Sequence, residues 1–230
     1  MSQSLGQFCP IALASEVLTQ KWMLLVLREL ISGTSRFNAM RRGIPKISAT
    51  LLKQRLETLE RADIVYRQAI PNSDQFEYRL TTAGLELKPI VTQIGIWGQR
   101  WARDIAPEDL DPAWLVWAIH RYLNFDELPS QQTVIEFEFT DAAKNERFFW
   151  IVVNDRAADV CIKNPGLSVD LIIKTKVIIL AEAFRGIRNL QQEVRSLRII
   201  VQGDKRLKEK LTAWLKPSDY AATQRQAKKC

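Results

Sequence analysis

The chain has 230 residues, 47% of them hydrophobic, which is enough apolar surface for one large globular domain or two ordinary ones. Its formal net charge of +7 suggests a polyanionic partner, with a basic soluble protein as the alternative. The N-terminus lacks a signal-peptide pattern, and the most apolar later run, Val169–Phe184, is broken by two lysines and is too short to span a bilayer. We therefore expect a cytoplasmic protein that does not bind a membrane.

Cysteine and histidine are too few and too scattered for a disulfide framework or a structural zinc site. Cys9, Cys161 and Cys230 are far apart and odd in number, which is typical of a reducing compartment. The single histidine, His120, has no cysteine or acidic partner at catalytic spacing, so we interpret it as structural. Since the sequence also lacks a Gly-rich phosphate loop and a nucleophile elbow, we expect no cofactor, no metal and no enzymatic activity.

The first part of the chain is predicted to be a series of helices. Apolar residues recur at helical intervals in two segments within residues 9–32. A short basic helix follows, then a turn with Gly43 and Pro45, then a longer helix that Ser48 is expected to cap. Three leucines at helical spacing give the longer helix one apolar side.

A hairpin and a long helix complete this first domain. Ile64–Ile70 and Phe76–Leu80 have strand-like composition, and turn-forming residues join them. Thr81 is expected to cap the long helix, which should continue to about Ile105.

The long helix has a stripe of large apolar residues at intervals of four, three and four. We expect this stripe to form a dimer interface, because two tryptophans near the end of a peripheral helix have little local core to enter. The alternative is that the stripe packs on its own domain. Its residues are Ile90, Ile94, Trp97 and Trp101.

The order of basic helix, turn, helix and basic hairpin within Ser35–Gly84 indicates a winged helix-turn-helix that binds double-stranded DNA. Residues 1–105 have 14 Lys and Arg against 9 Asp and Glu, whereas the remainder has 19 against 17. The positive charge is therefore concentrated where the motif lies. The alternative is a solvated, mixed-charge face on an ordinary helical domain.

The longer helix has, opposite its leucines, residue types that reach base edges: lysine for guanine, glutamine for adenine and threonine for a thymine methyl group. Basic residues before it lie where the first helix of such motifs crosses the DNA backbone. Arg67 and Arg79, on the two arms of the hairpin, are expected to grip phosphates of an adjoining groove. The candidate DNA-contacting residues are Arg36, Asn38, Arg41, Arg42, Lys46, Ser48, Thr50, Lys53, Gln54, Glu57, Arg67 and Arg79.

Beyond the acidic, proline-interrupted segment DIAPEDLDP the pattern changes to mixed strands and helices, which predicts a second, α+β domain. We expect an amphipathic helix over Trp114–Phe125, a last strand over Leu197–Val201 and a closing helix over Lys205–Leu215. Residues Thr133–Thr140 alternate strictly and predict a strand with Ile135, Phe137 and Phe139 on one face and Glu136 and Glu138 on the other. The predicted organisation is a DNA-binding and dimerisation domain over 1–105, an α+β domain over 113–217, and a polar, frayed tail over 218–230.

Residues 9–101 resemble the HxlR family of bacterial winged-helix regulators, which are relatives of the MarR type. The matching pieces are Cys9-Pro10-Ile11, Lys21-Trp22 with LLVLREL, Arg36-Phe37-Asn38, RRGIPKIS, LLKQRLETLE, EYRLTTAG and Trp97-Gly98. The resemblance implies a cytoplasmic homodimer that binds pseudo-palindromic operators, often as a repressor. The chain departs from the family at Asp63, where glycine is usual, and aspartate can take the left-handed conformation at modest cost.

Cys9 directly precedes Pro10, a favoured first residue of a helix, so its thiol is expected at a helix N-terminus. The helix dipole there favours the thiolate, which is the reactive form. Some members of the family resemble thiol sensors that use a cysteine at this position. The alternative is a partly buried structural cysteine that begins the helix.

Residues 130–216 resemble the sterol-carrier-protein type two family. The matching residues are Asn164-Pro165-Gly166, Val169-Asp170-Leu171, Phe184-Arg185-Gly186, Gly203-Asp204 and Trp214-Leu215. Ser196-Leu197 replaces a glycine that often precedes the final strand. The resemblance implies a mainly antiparallel sheet and an apolar tunnel for a lipophilic small molecule, which Phe137, Phe139, Phe148, Trp150, Phe184 and Trp214 could line. The alternative is that these aromatic residues form plain core.

A DNA-binding domain joined to an apolar pocket suggests a sequence-specific transcriptional regulator that a ligand controls. An empty second domain with a structural or dimerising role is the alternative for that half. For the whole chain, the alternative is a lipid carrier with an accessory helical domain.

Overall fold

Two units make up the chain, Met1–Gly95 and Ile96–Cys230, and each has its own apolar core. The computed structural model describes residues 4–73 and 75–226, so that Cys230 and the end of the predicted tail lie outside the described residues. The first unit is a winged helix-turn-helix and the second is rich in β-structure, as the sequence predicts. Within the described residues no single helix is long and apolar enough to cross a membrane. The first two helices, which form a bent pair, together have the length and the apolar composition of a membrane span.

The helices of the first unit are α1 (Pro10–Leu18), α2 (Met23–Ile31), α3 (Phe37–Gly43) and α4 (Ala49–Arg61). As predicted, Ser48 caps α4, and its hydroxyl accepts a hydrogen bond of 3.2 Å from the Leu51 amide. The three leucines of α4 are buried in one core with apolar residues of α2 and α3, among them Met23, Val26, Leu27 and Met40. The opposite side of α4 is thereby left to solvent.

The wing is an antiparallel hairpin of β1 (Val65–Ala69) and β2 (Phe76–Leu80). It is joined to the helices by Ser35, whose carbonyl accepts a hydrogen bond of 2.8 Å from the Tyr78 amide. After β2, the Thr81 hydroxyl caps α5 (Thr82–Trp101) by accepting from the Gly84 amide at 3.1 Å. The helix ends at Trp101, four residues before the predicted end.

Two backbone features hold the turn between α4 and the wing. Asp63 has a φ of +53°, which confirms the left-handed conformation expected where relatives have glycine. Gly84 lies so close to this turn that a Cβ there would be 2.2 Å from the Ile64 carbonyl oxygen. Only glycine lets the start of α5 approach this closely.

A buried carboxylate ties α2 to the end of α3. Glu29 is fully buried and receives a hydrogen bond of 2.9 Å from Arg28, which also donates to the Gly43 carbonyl at 2.7 Å. A Cβ at position 43 would lie 1.9 Å from the Glu29 carboxylate, so the RRG turn needs its glycine. This contact fixes where α3 ends and therefore where α4 begins.

The second unit is a sheet packed against helices. Its helices are α6 (Pro112–Ile119), α7 (Val177–Phe184), α8 (Leu190–Arg195), α9 (Lys205–Glu209) and α10 (Leu211–Trp214). Its strands are β3 (Thr133–Phe139), β4 (Phe148–Asn154), β5 (Ala157–Cys161), β6 (Leu171–Thr175) and β7 (Ile200–Gly203), in the order β5-β4-β3-β6-β7. The pairing of β3 with β6 is parallel and the other three pairings are antiparallel, so the sheet is mainly antiparallel.

The two faces of this sheet differ. Ile135, Phe137 and Phe139 on β3 lie fully buried on the face that the helices cover. The other face has Glu136 and Glu138: Glu136 accepts a hydrogen bond of 2.9 Å from the Trp150 indole, and Glu138 is paired with Arg147 and Lys174. Strict alternation in the sequence predicted this division correctly.

Three predicted elements of the second unit are corrected. The helix expected over Trp114–Phe125 begins at Pro112 and ends at Ile119, where the chain tightens into a 3-10 turn, and most of its residues are buried, so it is not amphipathic. The closing helix breaks between α9 and α10 at Lys210, whose φ of −96° and ψ of +12° leave the helical conformation. The last strand begins at Ile200, because Leu197 has a φ of +58° and ends α8.

The tail after Pro217 is not frayed within residues 218–226. The Ser218 amide donates to the Phe184 carbonyl at 2.8 Å. Arg225 forms an ion pair of 2.6 Å with Asp104 and donates to the carbonyls of Gln99 and Ala102 at 3.1 and 3.0 Å. Side-chain donors that meet free carbonyls at a helix end explain why a polar sequence is held in place here.

Candidate nucleic-acid interface

The side of α4 that faces away from the core has the residues predicted to read DNA. Thr50, Lys53 and Gln54 are exposed, and Glu57 is half-exposed. Lys53 and Glu57 are one helical turn apart, with their charged atoms 3.9 Å apart. An exposed pair of this kind is weak, so Lys53 can exchange its partner for an acceptor on a base or a phosphate.

Cations of α3 and the following turn surround the start of α4. The side chains of Arg36, Arg41, Arg42, Lys46 and the neutral Asn38 are all exposed. Arg36 occupies the N-cap position of α3 without a capping hydrogen bond from its side chain, and Arg41 and Arg42 are in the last turn of that helix. Ser48 belongs to the same surface, but its hydroxyl is already used as the cap of α4.

The hairpin does not bring its two arginines to one surface. Paired residues share a face of a ribbon, and Arg67 pairs with Tyr78 whereas Arg79 pairs with Tyr66. Arg67 therefore lies on the face of Val65 and Leu80, where it binds Glu60 of α4 at 2.8 Å. Arg79 lies on the opposite face.

Arg79 is held by an acidic neighbour. It donates to Glu77 at 2.7 Å, and Glu77 also accepts a hydrogen bond from the Ser35 hydroxyl at 3.2 Å. The hydrogen bond from Arg79 is the main reason that the pKa of Glu77 lies below its ordinary value of 4.5. These three residues anchor the wing. Glu77 and Ser35 are not among the predicted residues, because their contact joins positions 42 residues apart in sequence.

Comparison with known proteins identifies the family. The model of the HxlR-like helix-turn-helix family matches residues 17–106. The solved structure of the redox regulator HypR in its oxidized form is 34% identical, with a TM-score of 0.39, and covers 42% of this chain and 100% of HypR. YodB, an HTH-type transcriptional regulator of Bacillus subtilis, is 32% identical over 38% of this chain and 80% of YodB. YvaP, an uncharacterized HTH-type transcriptional regulator of the same organism, is 34% identical over 48% of this chain and 100% of YvaP. The chain belongs to the HxlR-like helix-turn-helix family.

This HxlR-like protein is a DNA-binding transcriptional regulator, as its relatives are named. The predicted stripe on its α5 is exposed along its whole length. Ile90, Ile94, Trp97 and Trp101 expose 48%, 44%, 62% and 50% of their surfaces. Tryptophans exposed to this extent are uncommon on a surface that stays in water, and they mark a place for contact.

Cys9 lies at the cap position of α1, directly before Pro10, and is exposed. Its carbonyl accepts the first hydrogen bond of the helix, from Leu13 at 3.1 Å. Its neighbours Phe8 and Ile11 expose 97% and 77% of their surfaces. The thiol is therefore accessible, and the alternative of a partly buried cysteine does not describe this arrangement.

The six aromatic residues predicted to line a pocket in the second unit are separated. Phe137 and Phe139 lie on the helix-covered face of the sheet, whereas Phe148 and Trp150 lie on the opposite face. Trp214 is fully buried and donates from its indole to the Leu207 carbonyl at 2.9 Å. Phe184 lines a cavity of about 760 Å³, together with residues of α7, α8 and the chain after α10.

His120 follows α6 and contacts Trp117: its Nδ1 lies at the Trp117 carbonyl, and the centroids of the two rings are 4.4 Å apart. This position is consistent with a structural histidine. Across residues 4–73 and 75–226, no group of three or more His, Cys, Asp or Glu side chains is placed to hold a metal ion.

Proposed function

We propose that the protein is a cytoplasmic homodimeric repressor that places α4 of each protomer in the major groove of a pseudo-palindromic operator. The observation that carries this proposal is the exposed Thr50, Lys53, Gln54 and Glu57 face on a helix whose opposite side is locked into the core. A rigid helix with polar side chains on its outer face can read base edges without deforming the protein. Arg36, Arg41 and Arg42 supply the phosphate contacts that set the register.

The two wing arginines have different roles in this proposal. Arg79, on the outer face of the hairpin, meets a phosphate by leaving Glu77. Arg67 stays with Glu60 and holds the wing against α4. Only one of them therefore contributes directly to the salt dependence of binding.

The experiment is a gel shift with the DNA upstream of the protein's own gene. We expect the wild type to bind, and the double variant Lys53→Ala/Gln54→Ala to lose at least about tenfold in affinity, since each good base contact is worth about 1–3 kcal/mol. Lys205→Ala is the matched control, because Lys205 and Glu209 form an exposed pair with the same spacing and the same 3.9 Å distance on a helix of the second unit. Failure to shift any genomic fragment contradicts the proposal.

Control by a thiol is proposed for Cys9. An exposed thiol at the start of a helix is accessible to electrophiles and oxidants. We expect diamide or a quinone to weaken operator binding by the wild type and by Cys161→Ser, and to leave Cys9→Ser unchanged. Unchanged binding by the treated wild type removes thiol control without touching the DNA-binding proposal.

The second unit is proposed to be a sterol-carrier-like domain whose lipophilic ligand regulates the DNA-binding unit. The shared motifs have structural roles that support this: Asp170 binds the Val134 amide at 2.8 Å, and a Cβ on Gly203 would lie 2.2 Å from the Asp170 carbonyl oxygen. The alternative function is a lipid carrier with an accessory helical domain. A gel shift with added organic extracts distinguishes the two functions. The DNA affinity of a ligand-controlled regulator changes when extract is added, whereas a carrier binds components of the extract and does not bind DNA.

A further inference from the structure

The cavity of the second unit lies between two segments that both hold the end of α5. One wall is the loop after α7, with Phe184, Gly186 and Ile187. The other wall is the segment 217–226, here called the strap, which contributes Pro217, Ala221 and Ala222. The two walls are in contact: the Ser218 amide donates to the Phe184 carbonyl at 2.8 Å, and a Cβ on Gly186 would lie 2.6 Å from the Ala221 carbonyl oxygen.

The loop after α7 grips α5 through a buried amide. Gln99, which exposes 5% of its surface, accepts two hydrogen bonds from the Arg185 guanidinium at 2.9 and 2.7 Å. Its own amide group donates back to the Arg185 carbonyl at 3.0 Å. The loop thus holds the Gln99 side chain through Arg185, which lies in sequence between the cavity-lining residues Phe184 and Gly186.

The strap grips the same turn from the backbone side. Arg225 donates to the carbonyls of Gln99 and Ala102, and the Gln226 amide donates to the Arg100 carbonyl at 3.0 Å. These are the carbonyls that a helix leaves without internal partners at its C-terminus. Arg225 also pairs with Asp104, just after the helix.

The lining of the cavity defines the class of molecule that fits. Most of the side chains are aliphatic, and its volume of about 760 Å³ lies in the range of small-molecule sites. Lys216 and Arg188 line it, and no carboxylate does among the described residues. Arg188 is paired with Glu182 and Glu193, so Lys216 is the lining cation without an ion pair in the described part of the chain. A molecule with an apolar body and one anionic group matches this surface.

We propose that the strap is a ligand-coupled latch: an amphipathic anion in the cavity holds Pro217, Ala221 and Ala222 in place and so keeps Arg225 on the last turn of α5. That turn includes Trp101 and follows Trp97, so opening or closing the latch changes how firmly the end of the exposed stripe is held. The effect on operator binding rests on the proposed function, whereas the latch itself is independent of DNA.

Thermodynamic linkage makes the latch measurable. Suppose that the ligand binds the protein with the strap latched better than with the strap open. Opening the latch must then lower the affinity for the ligand by the same factor by which the bound ligand shifts the equilibrium towards the latched state. The probe is 1-anilinonaphthalene-8-sulfonate, an apolar ring system with one anionic group. Its affinity is followed by fluorescence, and the latch by hydrogen exchange of the amides over residues 98–104.

In the full chain, we expect the dye to slow hydrogen exchange over residues 98–104. The variant Arg225→Ala should exchange faster there and bind the dye at least about fivefold more weakly, which is the lower end of ordinary coupling. Arg225→Lys keeps the charge beside Asp104 but cannot donate to both carbonyls. Its exchange rate and its dye affinity should therefore lie between those of the wild type and Arg225→Ala. Arg156→Ala is the control, since it removes an Arg–Asp pair of the same unit, 2.8 Å long and exposed, and should change neither hydrogen exchange over 98–104 nor dye affinity.

A purely structural role for Arg225 would change exchange alone. If Arg225→Ala opens the segment while the dye binds as in the wild type, the proposal is overturned. Should that variant fail to fold, Ile187→Trp tests the same linkage by filling the cavity from its rim: it should block the dye and slow exchange over 98–104. Because neither measurement uses DNA, loss of the latch and loss of operator binding are separate results.

Discussion

Leu197 occupies a position where glycine is expected, and its backbone conformation there costs free energy. Its φ of +58° is unfavourable for a residue with a Cβ, and 73% of its surface is exposed, so its side chain gains little from burial. The left-handed conformation costs about 1–2 kcal/mol in such residues. The position survives because the amides of Arg198 and Ile199 both reach the Glu193 carbonyl and hold the end of α8.

We predict that Leu197→Gly raises the free energy of unfolding by about 0.5–1 kcal/mol, since relief of the strain exceeds the extra chain entropy of glycine. Urea unfolding of the second unit, followed by circular dichroism, measures this. Leu197→Ala keeps the Cβ and should stay near the wild type. Equal stability of the Gly and Ala variants would show that the backbone is not strained.

Glu193 links stability to pH. It exposes 4% of its surface and is bound by Arg198 at 2.9 Å and Arg188 at 3.6 Å. The hydrogen bonds from Arg198, helped by the charge of both arginines, hold the pKa of Glu193 below its ordinary value of 4.5. A carboxyl with a lowered folded-state pKa stabilises the fold fully above 4.5 and loses this contribution as the pH falls through its folded value.

We predict that Glu193→Gln lowers the free energy of unfolding by about 1–3 kcal/mol near neutral pH, the usual worth of hydrogen bonds to charged groups. The deficit should shrink as the pH falls below 4.5, because the wild-type carboxyl then becomes neutral too. Urea unfolding at about pH 7 and about pH 3.5 gives both values. A deficit that does not change with pH would mean that charge has no part in it.

At the scale of elements, the wing separates two arginines that look equivalent in sequence. We predict that Arg79→Ala reduces the slope of log affinity against log salt by about 0.9, the value of one phosphate contact, and that Arg67→Ala leaves the slope nearly unchanged. Arg67→Ala should instead loosen the wing, because Glu60 loses its partner. Operator titrations at several salt concentrations measure both slopes, and equal changes for the two variants would contradict the assignment by face.

Local pattern predicted most elements, and long-range packing decided the rest. The Ser48 cap, the leucine stripe of α4, the alternation in β3 and the turn at Asp63 depend on neighbours in sequence, and each is found as expected. The faces of Arg67 and Arg79 depend on the register that the hairpin loop sets. The seating of the strap depends on partners more than a hundred residues away, since Arg225 binds Gln99 and Asp104, and no local period encodes such contacts.

At the scale of the whole molecule, the exposed stripe of α5 should decide the oligomeric state. We predict that Trp97→Ala/Trp101→Ala raises the dimer dissociation constant at least about tenfold, since buried tryptophans dominate interfaces and each tenfold corresponds to about 1.4 kcal/mol. Sedimentation velocity measures this, and operator affinity should fall with it. Ile162→Ala is the control, because Ile162 exposes 67% of its surface outside the stripe.

A dimer that stays intact in the double variant would assign Trp97 and Trp101 another role. Sedimentation velocity does not depend on the DNA-contacting residues of α4, so it distinguishes loss of dimerisation from loss of base contacts.

The place of β3 in its sheet has a consequence for the order in which the chain acquires structure. β3, β4 and β5 pair with their neighbours in sequence, whereas β6 joins β3 in parallel only after about thirty residues have been folded back. Closing so long a loop is slow, because its entropy is lost before any contact is gained. We therefore expect the winged unit, built from short connections, to be complete earlier in refolding than this sheet. In the proposed function, a nascent or recovering molecule thus completes the helix that reads DNA before the sheet of the unit that binds the ligand.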